Sequence, residues 1–210
     1  MITVGVTGAI GSGKTAFCKV FDQLGAKVFY ADEEAKKLMV RDKSLQEQLI
    51  TAFGDETYHN DGSLNKSHLI HEAFRKGRVE ELNSIVHPAV AKEFRREAEK
   101  AIKEGTTIFV KEAALLLNNG RPDDLDFIII IKSDQNTRIS RVVKRDHTTK
   151  DSVEERDSKQ PDFDKLKHTA DYVIENNGTL DELENKATIL FYELINKSNK
   201  KRSNKNVDKR

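Results

Sequence analysis

Apolar residues along this chain gather into short runs rich in β-branched side chains, separated by longer stretches with helical spacing. Ile2 to Val6, Lys27 to Tyr30, Thr107 to Lys111, Phe127 to Lys132 and Tyr172 to Glu175 are strand-sized. Between the first two, Phe17, Val20, Phe21 and Leu24 recur three and four apart, the period of one helix face. Strand alternating with helix predicts an α/β fold: a five-stranded parallel sheet with helices on both faces. Such sheets bind ligands beyond the C-terminal ends of their strands. The residues to inspect are therefore those just after each run: 8–15, Asp32, Glu112, Ser133 and Asn176-Asn177-Gly178.

The first of these segments carries the sharpest chemistry. Gly8-Ala9-Ile10-Gly11-Ser12-Gly13-Lys14-Thr15 fits G-x-x-x-x-G-K-[ST], between a β-branched strand and a helical pattern. A phosphate chain is held best by converging backbone N–H groups, and glycines let the backbone curl around it. Lys14 then supplies a cation for the β- and γ-phosphates and Thr15 a hydroxyl for Mg²⁺, at a helix N-terminus whose dipole favours anions. Gly8, Gly11, Ser12, Gly13, Lys14, Thr15 and Ala16 are the candidate ATP-binding residues. The bland alternative is a glycine-rich turn without a ligand. The strand and helix on either side favour the P-loop NTPase fold.

The long interval from 33 to 105 exceeds a simple crossover. It reads as mostly helical, with a turn at Asn60-Asp61-Gly62 and a break at His87-Pro88. It is expected to be an inserted, helical acceptor-binding subdomain within one kinase domain of residues 1–196. A second excursion, about 145–162, is dense in charge and poor in core residues, so it is expected to be exposed, as a lid would be.

At 210 residues the chain can bury the core of one main domain. No apolar run approaches a membrane span, and the N-terminus enters its first strand with no basic leader, so a cytoplasmic location is expected. Cys18 has no second cysteine to pair with and falls on the apolar side of the first helix, where a buried thiol is expected. The net charge of +1 is uneven: residues 197–210 hold seven Lys or Arg and one Asp. This basic tail is expected to be disordered, a solvated segment rather than a nucleic-acid-binding arm.

Further segments narrow the P-loop class. They are Ala31-Asp32, Phe53-Gly54 followed by Asp61-Gly62, Leu82-Asn83-Ser84-Ile85-Val86-His87-Pro88, Arg141 with Arg145-Asp146, and Ala170-Asp171-Tyr172-Val173-Ile174-Glu175-Asn176-Asn177-Gly178. Together with Val6 to Thr15 they resemble the dephospho-CoA kinase family, whose members phosphorylate the 3′-hydroxyl of dephospho-CoA with MgATP. The resemblance implies that Asp32 is the general base that contacts the acceptor hydroxyl. The alternative is an N-cap for the helix starting near Glu33. Arg141 and Arg145 lie four apart on one helix face, where two guanidiniums suit a triphosphate clamp, unless they are ordinary surface cations. Arg145 is the catalytic candidate of the two, beside Asp32 and Lys14. Arg156 and Lys167 are further lid candidates, Lys167 standing where the family often has arginine.

His87 precedes a proline, so an extended backbone is expected to aim it at the acceptor, or else it is structural. Asn177 follows the last strand, where P-loop kinases border adenine, or simply forms the turn. Two positions depart from the family pattern. Tyr30 stands where a second aspartate is common, and Ala114-Leu115-Leu116-Leu117-Asn118 replaces a segment ending in glutamate. Glu112 is expected either to offset the lost carboxylates by holding a Mg²⁺-bound water or to pair with a buried cation. Two other readings stay open: a P-loop kinase for a different small acceptor, and a nucleotide-binding regulator without transfer activity.

Overall fold

The computed structural model describes residues 1–118 and 120–207, with side chains described as far as Asn199. In chain order the elements are β1 (Ile2–Thr7), α1 (Lys14–Gln23), β2 (Lys27–Tyr30), α2 (Ala31–Arg41), α3 (Lys43–Phe53), α4 (Lys66–Leu69), α5 (Val79–Lys103), β3 (Ile108–Glu112), β4 (Phe127–Lys132), α6 (Gln135–Asp146), α7 (Lys150–Ser158), α8 (Phe163–Leu166), β5 (Tyr172–Glu175) and α9 (Leu180–Val207). A π-helical turn, Ile70–Arg75, follows α4.

The strands stand in the order β2-β3-β1-β4-β5. Parallel pairing places Val6 opposite Glu112, Thr7 opposite Ile130, and Ile131 opposite Ile174. Strand β1 is central, and the chain leaves it toward β2 on one side and later returns to β4 on the other. This makes the end of β1 a topological switch point, the usual ligand crevice of an open α/β sheet. Continuous apolar runs suit strands covered on both faces: Val4, Val6 and Ile128 to Ile131 are wholly buried. The edge strand β5 is pinned by Asp171, whose Oδ2 accepts from the Ile128 N–H at 2.7 Å and from Arg121 at 2.8 Å.

The chain divides into two compact units, residues 1–29 with 100–210, and residues 30–99. In the second, buried Leu45, Leu49 and Phe53 line one face of α3, and Leu82, Val86, Val90 and Phe94 form an i, i+4 stripe along α5. Arg41 joins Glu34 and Glu93 on its surface. Two expectations fail here. Helix α5 runs unbroken through His87-Pro88. Proline deprives only the Ser84 carbonyl of its helical partner, and Ser84, His87 and Pro88 are on the exposed face, where water can serve that carbonyl. The backbone of His87 is therefore helical, not extended.

Two further differences concern charge-rich segments. Within residues 145–162, Val153 is fully buried in a cluster with Ile139 and Val142, so the excursion is anchored rather than wholly exposed. At its start, the basic tail belongs to α9: Ser198 is buried, and Lys197 bonds Tyr172 and lies 2.9 Å from Glu193. The rest of the expected tail falls on residues whose side chains, and from 208 whose backbone, lie outside the described residues.

Candidate active site

The loop between β1 and α1 is shaped by its glycines. Gly8 has φ +147°, and a Cβ there would fall 2.1 Å from the Ile131 carbonyl oxygen. Gly13 has φ +103°, and a Cβ would meet Asn176 Nδ2 at 2.3 Å. Both positions thus reject any side chain on backbone angle and on space. Gly13 is the N-cap of α1 and, having no side chain, offers no side-chain cap to the first turn. Lys14 Nζ donates to the carbonyls of Gly8 at 2.7 Å and Ala9 at 3.2 Å.

Ser12 is wholly buried, and its Oγ has no hydrogen-bond partner among the described residues. Its carbonyl accepts from Asn176 Nδ2 at 2.8 Å, a buried bond from the end of β5. An orphaned buried hydroxyl, an uncapped helix N-terminus and an ammonium within one loop fit a polyphosphate. Thr15 is exposed in the first turn of α1, and its hydroxyl suits Mg²⁺, which takes few protein ligands and keeps several waters. Among the described residues no group of three His, Cys, Asp or Glu stands together to hold a metal.

One turn along α1, Cys18 is buried. Burial pushes its thiol well above the usual range, Glu112 adds to the rise, and Lys14 opposes it. Lys14 and Glu112 therefore act electrostatically on the same buried spot. Glu112 itself ends β3, largely buried, in register with Val6.

The two arginines of the expected clamp point to different partners. Arg141 donates to the carbonyls of Asn176 at 3.0 Å and Gly178 at 3.2 Å, tying α6 to the loop after β5. Arg145 is 62 % exposed and makes a bidentate pair with the adjacent Asp146, at 2.6 and 3.0 Å. Arg156 joins the same carboxylate at 3.3 Å. Asn177 is exposed, and its Oδ1 accepts from the Asp134 N–H at 2.8 Å, a link between the loops after β4 and β5.

Asp32 belongs to the second unit, exposed in the first turn of α2. The residue at the N-cap of α2 is Tyr30, whose side chain makes no cap hydrogen bond. The N-cap alternative for Asp32 therefore falls: it lies two residues past the cap, within the first turn, where its charge still favours the helix dipole. His87 is exposed on α5. Leu116 and Leu117, in the segment that departs from the family pattern, are buried, and Leu116 lies over Gly5 of β1.

Sequence reasoning gave Asn177 a place beside the adenine and assigned no role to Asn176, which reaches the loop of residues 8–15; it did not single out Arg138, Asp157 and Gln160. Arg138 Nη1 donates to the Ile10 carbonyl at 3.2 Å, Nε donates to the Ser133 carbonyl at 3.1 Å, and the guanidinium grips Asp157 with both arms. Gln160 Oε1 accepts from the Ile10 N–H at 2.6 Å. Spacing offered only a weak signal, since Arg138 lies three residues before Arg141 on a helix of mixed charge.

A parallel sheet with a phosphate-binding loop at its switch point, two arginine-bearing helices after β4 and a separate helical unit after β2 defines the class of small-molecule P-loop kinases. A family model described as dephospho-CoA kinase matches residues 2–182, and the chain belongs to that family. It is 41 % identical to the dephospho-CoA kinase of Salinibacter ruber over 193 residues, which is 91 % of this chain and 97 % of that one. It is 36 % identical to that of Chlorobium luteolum, covering 91 % and 90 %. A solved Thermus thermophilus protein, 25 % identical, superposes with a TM-score of 0.78 over 92 % of this chain and 97 % of its own.

Proposed function

We infer that this chain transfers the γ-phosphoryl group of ATP to the 3′-hydroxyl of dephospho-CoA, giving coenzyme A and ADP. The observation that carries the reading is the loop of residues 8–15, with Ser12 Oγ buried and orphaned beside an uncapped helix, in a chain of the dephospho-CoA kinase family.

Phosphoryl transfer has a loose transition state, so positioning and charge neutralisation dominate catalysis. The first-turn N–H groups of α1, Ser12 Oγ and the Lys14 ammonium bind the phosphates. Mg²⁺, held by the Thr15 hydroxyl and the nucleotide, adds charge neutralisation when bound. Asp32 accepts the proton of the acceptor hydroxyl, as a base matched to a weakly acidic nucleophile. Arg145 leaves Asp146 to meet the transferring group, a step favoured because its present partner is solvent-exposed and such pairs are weak. Arg141 and Asn177 shape the loop bordering the nucleobase, and His87 contributes to acceptor binding from the exposed face of α5. Residues 145–162 close over the phosphates and exclude water. The reaction belongs to the cytoplasm. Among the described residues no helix is long and apolar enough to cross a membrane.

Incubation with MgATP and dephospho-CoA is expected to release ADP only when the acceptor is present, with a product heavier by one phosphate. ATP binding without that product would reject the reading. Asp32→Asn is expected to lower turnover about 10²- to 10³-fold with ATP affinity retained. Near-normal turnover in that variant would remove Asp32 from the role of base.

A further inference from the structure

Ile10, in the middle of the phosphate-binding loop, is held on three sides by residues far away in sequence. Its N–H donates to Gln160 Oε1 at 2.6 Å and its carbonyl accepts from Arg138 Nη1 at 3.2 Å. Its side chain packs against buried Ile139, Val142 and Val153, which join α6 to α7. One residue along, the backbone of α6 lies directly against the loop: a Cβ on Gly11 would come within 2.5 Å of the Arg138 carbonyl oxygen and 2.8 Å of Val142 Cγ2.

Arg138 is the centre of this arrangement. Its side chain and that of Asp157 are each only 12 % exposed. The guanidinium serves Asp157 on α7, the Ile10 carbonyl in the loop and the Ser133 carbonyl after β4. A planar five-donor group satisfies three elements at once, which an ammonium does not. A charge pair this sheltered adds little stability over an apolar pair of similar size, and is costly to break from one side. What an apolar pair cannot supply is a donor for the Ile10 carbonyl.

We propose that Arg138 is a positioning residue for the phosphate-binding loop: with Asp157 and Gln160 it clamps the two peptide groups that flank Ile10, so the α6–α7 arm sets the shape in which the loop receives a triphosphate. This rests on residues 8–15 being an ATP site. Gln160 holds the peptide plane that ends in the Ile10 N–H and Arg138 the one that begins with the Ile10 carbonyl, so the clamp fixes both planes that flank Ile10. A loop that loses the clamp regains rotational freedom at Ile10 and Gly11 and must be reordered when nucleotide binds.

The test is calorimetric titration with MgATP alone, with no acceptor present, alongside melting temperatures and the steady-state KM for ATP. Arg138→Met with Asp157→Leu leaves no unpaired buried charge, so the double variant is expected to melt above either single variant. It is also expected to bind MgATP about tenfold more weakly, with KM for ATP raised in parallel and kcat changed less, in keeping with loss of a hydrogen bond from a charged donor. Gln160→Ala removes the other side of the clamp without touching a charge, and is expected to weaken MgATP about threefold. Unchanged affinity in a folded double variant would overturn the proposal, making the pair a purely structural one. If the double variant does not fold, Gln160→Ala decides: weakened binding supports the clamp and native affinity overturns it. Wild-type protein that binds no MgATP would end the ATP-site reading, and the clamp with it.

Discussion

The phosphate-binding loop and the α6–α7 arm both carry charged groups to the same end of the sheet, yet they are built in opposite ways. In the loop, eight consecutive residues carry the proposed phosphate contacts. Three glycines with positive φ, Gly8, Gly11 and Gly13, turn the backbone, and Lys14 bonds carbonyls only five and six residues before it. In the arm, Arg138 and Gln160 reach Ile10 across 128 and 150 residues of chain. Local covalent spacing fixes the first, and tertiary packing fixes the second. A loop of the first kind places its chemistry by backbone geometry and tolerates almost no substitution. An arm of the second kind can exchange partners, as a lid must, provided that its apolar root holds.

The comparison breaks most severely at Lys14. If the loop is the chemical half, Lys14→Ala is expected to lower kcat/KM for ATP by about 10³-fold or more, since it removes the ammonium proposed to meet the phosphates. The measurement is acceptor-dependent ADP release. A loss below tenfold would mean that the phosphates are held elsewhere, and the division of labour would not stand.

A smaller effect, on stability, is expected at the root of the arm. Val153 is fully buried with Ile139 and Val142, so Val153→Ala opens a cavity where α7 meets α6. The expected cost is about 2 kcal/mol in urea unfolding, with KM for ATP rising because Ile10 packs on the same cluster. An unchanged unfolding midpoint would show that the arm has no core of its own.

The same contrast explains what was legible beforehand. The five strands come from β-branched runs, and the loop from a motif whose spacing is itself the geometry, so both stand in the sequence. Asp32 was also placed after β2, although its cap alternative failed because α2 starts two residues earlier than Glu33, at Ala31. Pro88 misled because a proline rule describes a local conflict, whereas α5 is held by the stripe from Leu82 to Phe94. Arg138, Asp157 and Gln160 were invisible for a related reason, and Asn176 stood on the inspection list without its partner. Nothing in a charged helix or a polar loop says which distant backbone group or charge a side chain will meet. Val153 shows how one apolar residue in a charged segment suffices to anchor it.

The smallest expected effect lies at the rim of the arm and sharpens the contrast by its weakness. Hydrogen bonding from Arg145, reinforced by Arg156, holds the Asp146 carboxyl at about 2, below its ordinary 3.8. A carboxylate whose pKa is depressed on folding stabilises the fold fully above its unfolded pKa, and that contribution disappears as pH falls through the folded value. Asp146→Asn removes the contribution at every pH. The melting temperature of the wild type is therefore expected to exceed that of the variant by a small, constant margin above about pH 5, with the margin closing between about pH 4 and pH 2. The margin stays small because the side chains of Arg145 and Arg156 are 62 % and 52 % exposed, and added salt should shrink it further. A large margin that salt does not touch would show Asp146 to be part of the arm's rigid root. A small one leaves Arg145 cheaply released, which is what a residue that must turn toward a phosphoryl group requires.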